Sequence, residues 1–296
     1  MISFVTFAYN EGKYIEETIN SVICLGGDIE YILVDDNSTD ETWDIMQKYA
    51  KIDSRIKAYR NPKKGKISAV NFGMSKTTGD WVTMLAGDDI FESDNFCEFV
   101  KKLKEYDPSK AQIVVGGLVR RFTDSQRYSA ENGVLNAFPK KKDKRANTIG
   151  FASRLLVDNV YPIPEQYPNE DSWTSMYYYY FCDSLINIPI VCLNYRIHDN
   201  NSINHNDSEF EKYSHALHIR MNQQMDFIAR YQKMLSEKDI KYLSNQYKAE
   251  NYRYEKKYLK LLLVNIAWPE KIRMLLNSNE TLKTFKYKIT KFFQEK

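Results

Sequence analysis

The sequence predicts an α/β fold, a mostly parallel sheet flanked by helices, followed by a C-terminal helical appendage. Three observations predict it. Short runs at 2–8 (ISFVTFA), 31–34 (YILV), 56–59 (IKAY) and 81–85 (WVTML) are largely apolar, as strands covered on both faces must be. Segments with helical apolar spacing alternate with them, and the loops between are short. From about Ser208 onward the chain changes to charged helical sequence with interleaved tyrosines.

Taken in order, the strand at 2–8 runs into the turn Tyr9-Asn10-Glu11-Gly12. A helix over 13–25 follows, with Ile15, Ile19, Val22 and Ile23 on one face and Gly26-Gly27 as its stop. The strand at 31–34 ends in Asp35-Asp36-Asn37-Ser38-Thr39, where Ser38 or Thr39 is expected to cap a helix over 41–49. After the strand at 56–59 come a basic turn at 61–65, a helix over 66–76 and the strand at 81–85. That strand ends in Ala86-Gly87, small residues that let backbone turn and a ligand approach.

Beyond it, 91–106 reads as a helix and 112–122 as a strand carrying Arg120 and Arg121. The polar stretch 125–147 reads as a loop over the sheet edge. An apolar segment at 151–157 precedes three prolines, Pro162, Pro164 and Pro168, which require extended chain. Asn169-Glu170-Asp171 then opens a helix over 172–182, followed by a strand at 188–195 and a polar loop at 198–206. Two or three helices are expected after that. The domain division that follows is 1–206, with 1–90 and 91–206 as its two parts, and 207–296.

The 296 residues suffice for one large domain plus an appendage, and 43% hydrophobic residues can fill its core. A net charge of +3 argues little about partners, and no basic patch with groove-reading geometry is evident in the sequence, so nucleic acid is not an expected partner. Cys24, Cys97, Cys182 and Cys192 form no C-x-x-C pair and read as reduced, buried thiols of a cytoplasmic protein. The chain enters a strand at Ile2 without the signature of a secretory signal, and no apolar run approaches the roughly 20 residues that span a bilayer.

The chemistry concentrates in three acidic pairs, Asp35-Asp36, Asp88-Asp89 and Glu170-Asp171. Each follows a strand or an extended segment, and in a parallel sheet strand ends converge on one ligand crevice. Adjacent carboxylates repel, so they need solvent, donors or a cation. A hard divalent ion such as Mg²⁺ or Mn²⁺, shared with substrate phosphates, meets that need; surface turns and helix caps would use the same residues. No G-x-G-x-x-G follows the first strand and Gly65-Lys66 lacks Walker spacing, so a cation rather than a glycine-rich loop is expected to hold the phosphates.

Six motifs in order resemble inverting glycosyltransferases of family 2, which have the GT-A fold. They are FVTFAYNE at 4–11, ILVDDNSTDET at 32–42, GKISAVNFG at 65–73, Asp88-Asp89, Glu170-Asp171 and YRIHDNNS at 195–202. The likeness covers roughly the first two thirds of the chain, and it is the ordered set that is specific. Two positions depart from the family pattern. Phe7-Ala8 stands where Pro-Thr is usual, so base contacts there would be mostly backbone; Ala86 takes the first acidic place of the metal motif, which leaves Asp88 and Asp89.

Roles follow from the resemblance. Phe7, Tyr9, Glu11, Asp36, Lys66 and Asp88 would bind the nucleotide-sugar, preferably a UDP-sugar. Tyr9 would flank the base, Asp36 would accept from a uracil-like N–H and Lys66 would approach the diphosphate. Asp89, Asp88 and His198 would hold Mg²⁺ or Mn²⁺, and Arg196 would fix the late loop. Asp171, beside Glu170, would be the general base for an acceptor hydroxyl on a glycan or lipid-linked glycan, in surface polysaccharide assembly. A GT-A-like nucleotidyltransferase is disfavoured because Tyr9–Gly12 is not a glycine-rich loop. A binding subunit without catalysis is disfavoured by Asp88, Asp89 and Asp171. The stretch 242–296 mixes lysine and arginine with Trp268 and Phe292-Phe293. Peripheral docking on the inner face of a membrane, or packing on the catalytic domain or in a homo-oligomer, would each use such a pattern.

Overall fold

The computed structural model describes residues 1–124, the backbone of 134–136, and residues 150–198 and 210–284. Two compact units divide the chain, Met1–Ser202 and Ile203–Lys296.

The first unit is built on one sheet. Its strands are β1 (Ile2–Ala8), β2 (Ile29–Asp35), β3 (Ile56–Arg60), β4 (Trp81–Ala86), β5 (Ile90–Phe91), β6 (Ile113–Phe122), β7 (Val134–Asn136), β8 (Phe151–Ser153) and β9 (Ser184–Arg196). They run in the order β3-β2-β1-β4-β8-β6-β9-β5, with β7 beside β6. The half made of β3, β2, β1 and β4 is entirely parallel. All seven residues of β2 are buried, as the apolar composition of these strands requires. The other half is mixed: β8 is antiparallel to both β4 and β6, whereas β9 is parallel to β6 and antiparallel to β5. The flanking helices are α1 (Ile15–Ile23), α2 (Thr42–Ile52), α3 (Lys66–Lys76), α4 (Phe96–Leu103), α5 (Arg154–Val160) and α6 (Glu170–Phe181). The GT-A architecture expected from the sequence is the one observed.

Two packing features bear on the site. An aromatic cluster joins the halves of the sheet: Phe4 of β1 lies 5.2 Å from Phe91 of β5 and 6.0 Å from Phe151 of β8, both edge-on, and Phe99 of α4 lies 5.4 Å from Phe151. The second feature is the seat of α3. A Cβ on Gly73 would stand 2.8 Å from Val5 Cγ1 and 3.1 Å from Val34 Cγ2, so glycine sets how closely α3 approaches β1 and β2.

Several expectations are corrected. Ile90-Phe91 is not the start of a helix but a two-residue strand paired with Leu193 and Asn194, and the helix begins at Phe96. Asp40, not Ser38 or Thr39, serves the start of α2: its Oδ1 accepts from the Thr42 N–H at 3.1 Å and the Thr42 hydroxyl at 2.6 Å. The apolar segment near 151–157 is split between β8 and α5, and β9 reaches four residues further back than its apolar part, to Ser184, because β6 pairs with it there. Of the four thiols only Cys192 is buried; Cys24 and Cys97 are exposed. Most of the loop expected at 125–147 lies outside the described residues.

The second unit contains five described helices rather than two or three: α7 (Phe210–Met221), α8 (Gln223–Tyr231), α9 (Glu237–Tyr254), α10 (Tyr258–Leu263) and α11 (Trp268–Leu276). Ala249, Leu261, Val264, Ile266 and Met274 form a core around α9. Beside it Arg253 is buried with Glu250 at 2.6 Å, and it also donates to the Ser214 hydroxyl and the Asn277 carbonyl.

Replacing Gly73 by alanine sets about 1 kcal/mol of helix propensity gained against about 1–3 kcal/mol of overpacking. Val5 and Val34 are fully buried and stiff at χ1, so overpacking wins. Gly73→Ala is expected to lower stability by about 1 kcal/mol, read as an earlier urea midpoint at constant m. An unchanged or later midpoint would show that α3 has room to move.

Candidate active site

Parallel pairing brings the ends of β1, β2 and β4 to one rim. Phe7 stands opposite Val34 and Ala86, and Ala8 opposite Asp35. The residues that follow, Tyr9 to Glu11, Asp36 and Asp88, therefore emerge side by side.

Much of the acidic signature after β2 builds this rim rather than facing out from it. Asp35 is fully buried and accepts from the Ser38 N–H at 3.2 Å. The Ser38 hydroxyl accepts from the Asn10 N–H, Thr42 Oγ1 from the Glu11 N–H at 2.9 Å, and Asp40 from the Gly12 N–H at 2.9 Å. The loop after β1 is thus laced to the loop after β2 by side chains. Asn10 and Asn37 sit at φ of 55° and 61°, a backbone region that asparagine tolerates better than most residues. Asp36 is buried; its Oδ1 accepts from Asn61 Nδ2 at 2.7 Å and from the Gly65 N–H at 2.8 Å.

The basic residues come from the turn before α3 and from its first residue. Lys64 Nζ stands 4.2 Å above the exposed ring of Tyr9 and 3.1 Å from its hydroxyl. Lys66 Nζ lies 5.6 Å from the half-buried ring of Phe7 and 3.0 Å from Glu170 Oε2. That ion pair joins the strand-end rim to the start of α6, where Glu170 is buried and Asp171 half-buried. Asp171 Oδ1 accepts from the Ser172 hydroxyl at 3.3 Å. A further tether holds the extended segment before α6. Asn71 donates to the Ile163 carbonyl and accepts from the Ile163 N–H, both at 2.8 Å. Asn71 was singled out only as part of a motif; an amide among the apolar residues of α3 was the signal of its positioning role.

Asp88 and Asp89 point in different directions. Asp88 Oδ2 lies 2.9 Å from His198 Nε2, and Glu11, Asp88 and His198 each bring one ligand atom within 4.8 Å of the others. Burial, then the charges of Asp88 and Asp40, push the Glu11 carboxyl up to about 7. Two carboxylates and an imidazole crowded together fit a divalent cation, which would relieve that repulsion. Asp89, expected in the metal set, lies outside this trio. It is buried and accepts from the Arg196 N–H at 2.9 Å. Burial first, and the charge of Asp88 second, hold its carboxyl well above the ordinary range.

Arg196 lies beneath the turn. It is 1% exposed, donates from Nε to the Asp88 carbonyl at 2.8 Å, and pairs with Glu17 at 2.5 Å and with Asp124. Its guanidinium stands 4.6 Å from the ring centroids of both Tyr14 and Phe122. Glu17 and Asp124 carried no sequence signal, because nothing in a linear pattern pairs them with a residue so far away.

The family model described as Glycosyl transferase family 2 matches residues 3–155. The chain belongs to that family. A curated member, the putative teichuronic acid biosynthesis glycosyltransferase TuaG of Bacillus subtilis, is 40% identical over 96 residues, 32% of this chain. The chain spans 38% of that relative's length. Among solved structures, residues 1–349 of S. aureus TarS in complex with UDP-GlcNAc superpose with a TM-score of 0.61 at 17% identity, covering 94% of this chain and 80% of that one. The mannosyltransferase PcManGT from Pyrobaculum calidifontis, in complex with GDP-Man and Mn²⁺, gives 0.53 at 14% identity, over 96% of this family 2 chain and 82% of its own. These two likenesses are of fold.

The raised Glu11 carboxyl has a consequence for stability. The folded state holds its proton up to about 7, whereas an unfolded glutamate releases it near 4.5. Glu11 thus contributes stability that is complete below the lower value and is lost as pH rises through the upper one. Without divalent cation, Glu11→Gln is expected to remove this loss, so that the Tm difference, variant minus parent, grows between about pH 5 and 8. A flat difference in a thermal-shift series would show that Glu11 is hydrated and ordinary.

Proposed function

We propose that this chain is an inverting, metal-dependent glycosyltransferase. It would move a hexosyl or N-acetylhexosaminyl group from a nucleoside-diphosphate sugar, by preference a UDP-sugar, to a hydroxyl of a glycan or lipid-linked glycan in surface polysaccharide assembly. The observation that carries the reading is the Lys66–Glu170 pair at 3.0 Å, which brings the nucleotide rim and the helix bearing Asp171 into one site. The names and ligands of TuaG, TarS and PcManGT support donor type and process.

In this reading residues 1–206 are the catalytic domain, 1–90 its nucleotide part and 91–206 its acceptor part, with 207–296 a helical region. Tyr9 flanks the base, with Lys64 on its other side. Phe7 offers backbone to the base, and the Asp36 carboxylate, fixed by Asn61 and Gly65, accepts a ring N–H. Lys66 approaches the diphosphate. Glu11, Asp88 and His198 are the residues that would hold Mg²⁺ or Mn²⁺; such an ion supplies charge neutralisation to a departing nucleoside diphosphate. Asp89 serves the site from below, by anchoring the turn to β9. No helix among the described residues is long and apolar enough to cross a membrane, and a place on the cytoplasmic side belongs to the same proposal.

Asp171 takes the proton from the acceptor hydroxyl as that oxygen bonds to the anomeric carbon. The carbon–oxygen bond to the diphosphate breaks on the opposite face, and its electron pair leaves with the phosphate, so configuration inverts. A base for this step needs hydrogen-bond reach and partial desolvation, which a half-buried carboxylate at a helix start provides.

Asp171→Asn is expected to keep donor affinity, measured by calorimetry, and to lose about 10²–10⁴-fold in turnover. Near-parental turnover in Asp171→Asn together with an inactive Glu170→Gln would move the base to Glu170. Calorimetric titration with Mn²⁺ should find a site that is lost in Asp88→Asn and in His198→Ala, and transfer should stop in excess chelator. Full transfer with chelator present would remove the metal from the proposal.

A further inference from the structure

The helices α10 and α11 divide their apolar residues between two sides. Leu261 and Met274 face the core with Ala249, Val264 and Ile266. On the other side Leu259 and Leu263, one turn apart on α10, are 80% and 85% exposed. Trp268 and Ile272, one turn apart on α11, are 64% and 52% exposed. Two helical stripes of large apolar side chains are thus left in water.

Lys271 shows that the stripes adjoin. Its Nζ donates to the Leu262 carbonyl at 2.6 Å and stands 5.0 Å from the Trp268 ring centroid. One ammonium thus touches the end of α10 and lies near the indole, so the two stripes are neighbours. Contiguous exposed apolar surface on a soluble fold marks a place of contact. The charge around it is basic. Lys256 and Lys257, just before α10, and Lys260 in its first turn are all exposed, and the neighbouring carboxylate Glu255 offsets one of them through its pair with Lys257 at 2.6 Å. Glu270, which accepts from Tyr242 and Gln246 at 2.6 Å each, keeps its charge, and with Glu255 it leaves Lys256, Lys257, Lys260 and Lys271 a local excess of +2.

We propose that this face docks on an anionic lipid surface, with Trp268, Leu263, Leu259 and Ile272 in the headgroup–acyl boundary and the lysines against the headgroups. Indole is the side chain best suited to that boundary, and lysine stems reach from apolar ground to charge. A second copy of the chain fits less well, since a two-fold contact through this face would set the lysines of one copy against those of the other. The inference rests on the reading above only for the acceptor class, since a lipid-linked acceptor is carried by the same kind of surface.

The test is flotation of the full chain at low salt with two vesicle types, equimolar phosphatidylglycerol and phosphatidylcholine, and phosphatidylcholine alone. Binding is expected to the first and not the second. Leu263→Ser with Trp268→Ser should weaken it about tenfold or more. Alanine at Lys256, Lys257 and Lys260 should weaken it roughly a hundredfold, about fivefold per charge. All five positions are on the surface, so an unchanged circular dichroism melt certifies the fold. Absence of flotation, or flotation that the variants leave unchanged, would overturn the proposal. So would a concentration-dependent dimer that Leu263→Ser with Trp268→Ser dissociates, which would give the face to a second copy. Flotation reads no transfer, so its failure is separate from failure of the glycosyltransferase reading.

Discussion

A single buried cation holds the acidic turn in place. Arg196 reaches the Asp88 carbonyl, Glu17 of α1 and Asp124 after β6, and its backbone N–H takes Asp89. A guanidinium removed from water must find partners in several directions, and here they come from three parts of the chain: the Asp88 turn, α1 and the residues after β6. Tyr14 and Phe122 cover the group, while Glu17 and Asp124 keep a side toward solvent. Losing one carboxylate therefore costs less than breaking a fully buried pair, because water and the other carboxylate remain. Because the bonds converge on Asp88 and Asp89, they act where backbone placement matters to the site. Asp89 turned inward leaves Asp88 alone to face His198 and Glu11.

The second constraint is the seam between the rim of strand ends and α6. Parallel strands can align their own ends, but they do not reach a helix that lies a hundred residues further along. Asn71 and Lys66, both on α3, make that connection through Ile163 and Glu170. Gly73, on the same helix, sets the distance between α3 and the sheet. One helix therefore has three tasks, and its short motif G-x-x-x-A-x-N-x-G holds a residue for two of them and its opening lysine for the third.

The parts of the fold legible in the sequence are those with local causes. The four parallel strands were visible because both faces are covered, which forces apolar runs, and α3 was found with its observed bounds. The rim was visible as acidic pairs after strands. Long-range partners were not. Phe91 forms a strand only because Leu193 lies beside it, so helical spacing around it misled. Two adjacent aspartates look equivalent in a sequence, and only the position of β9 makes one an anchor and leaves the other on the rim. The hydroxyls of Ser38 and Thr42 likewise serve another loop, which neighbouring residues cannot reveal. Charged, tyrosine-rich composition indicated helices in the last third without fixing their number.

The late place of β9 also bears on how the molecule comes into being. The ladder of β3, β2, β1 and β4 uses residues 2–86 and is parallel throughout, with Ile2 of β1 opposite Trp81 of β4, so even this half needs non-local pairing, which is slow to form. Arg196 and His198 emerge more than a hundred residues after that ladder is complete. Until they arrive, Asp88 and Asp89 lack both their buried counter-charge and their histidine neighbour. A ribosome-bound chain stopped before β9 would lack the groups that fix the acidic turn. The turn is tied to a strand that pairs with both β6 and β5, so its geometry depends on the second half of the sheet as much as on the first.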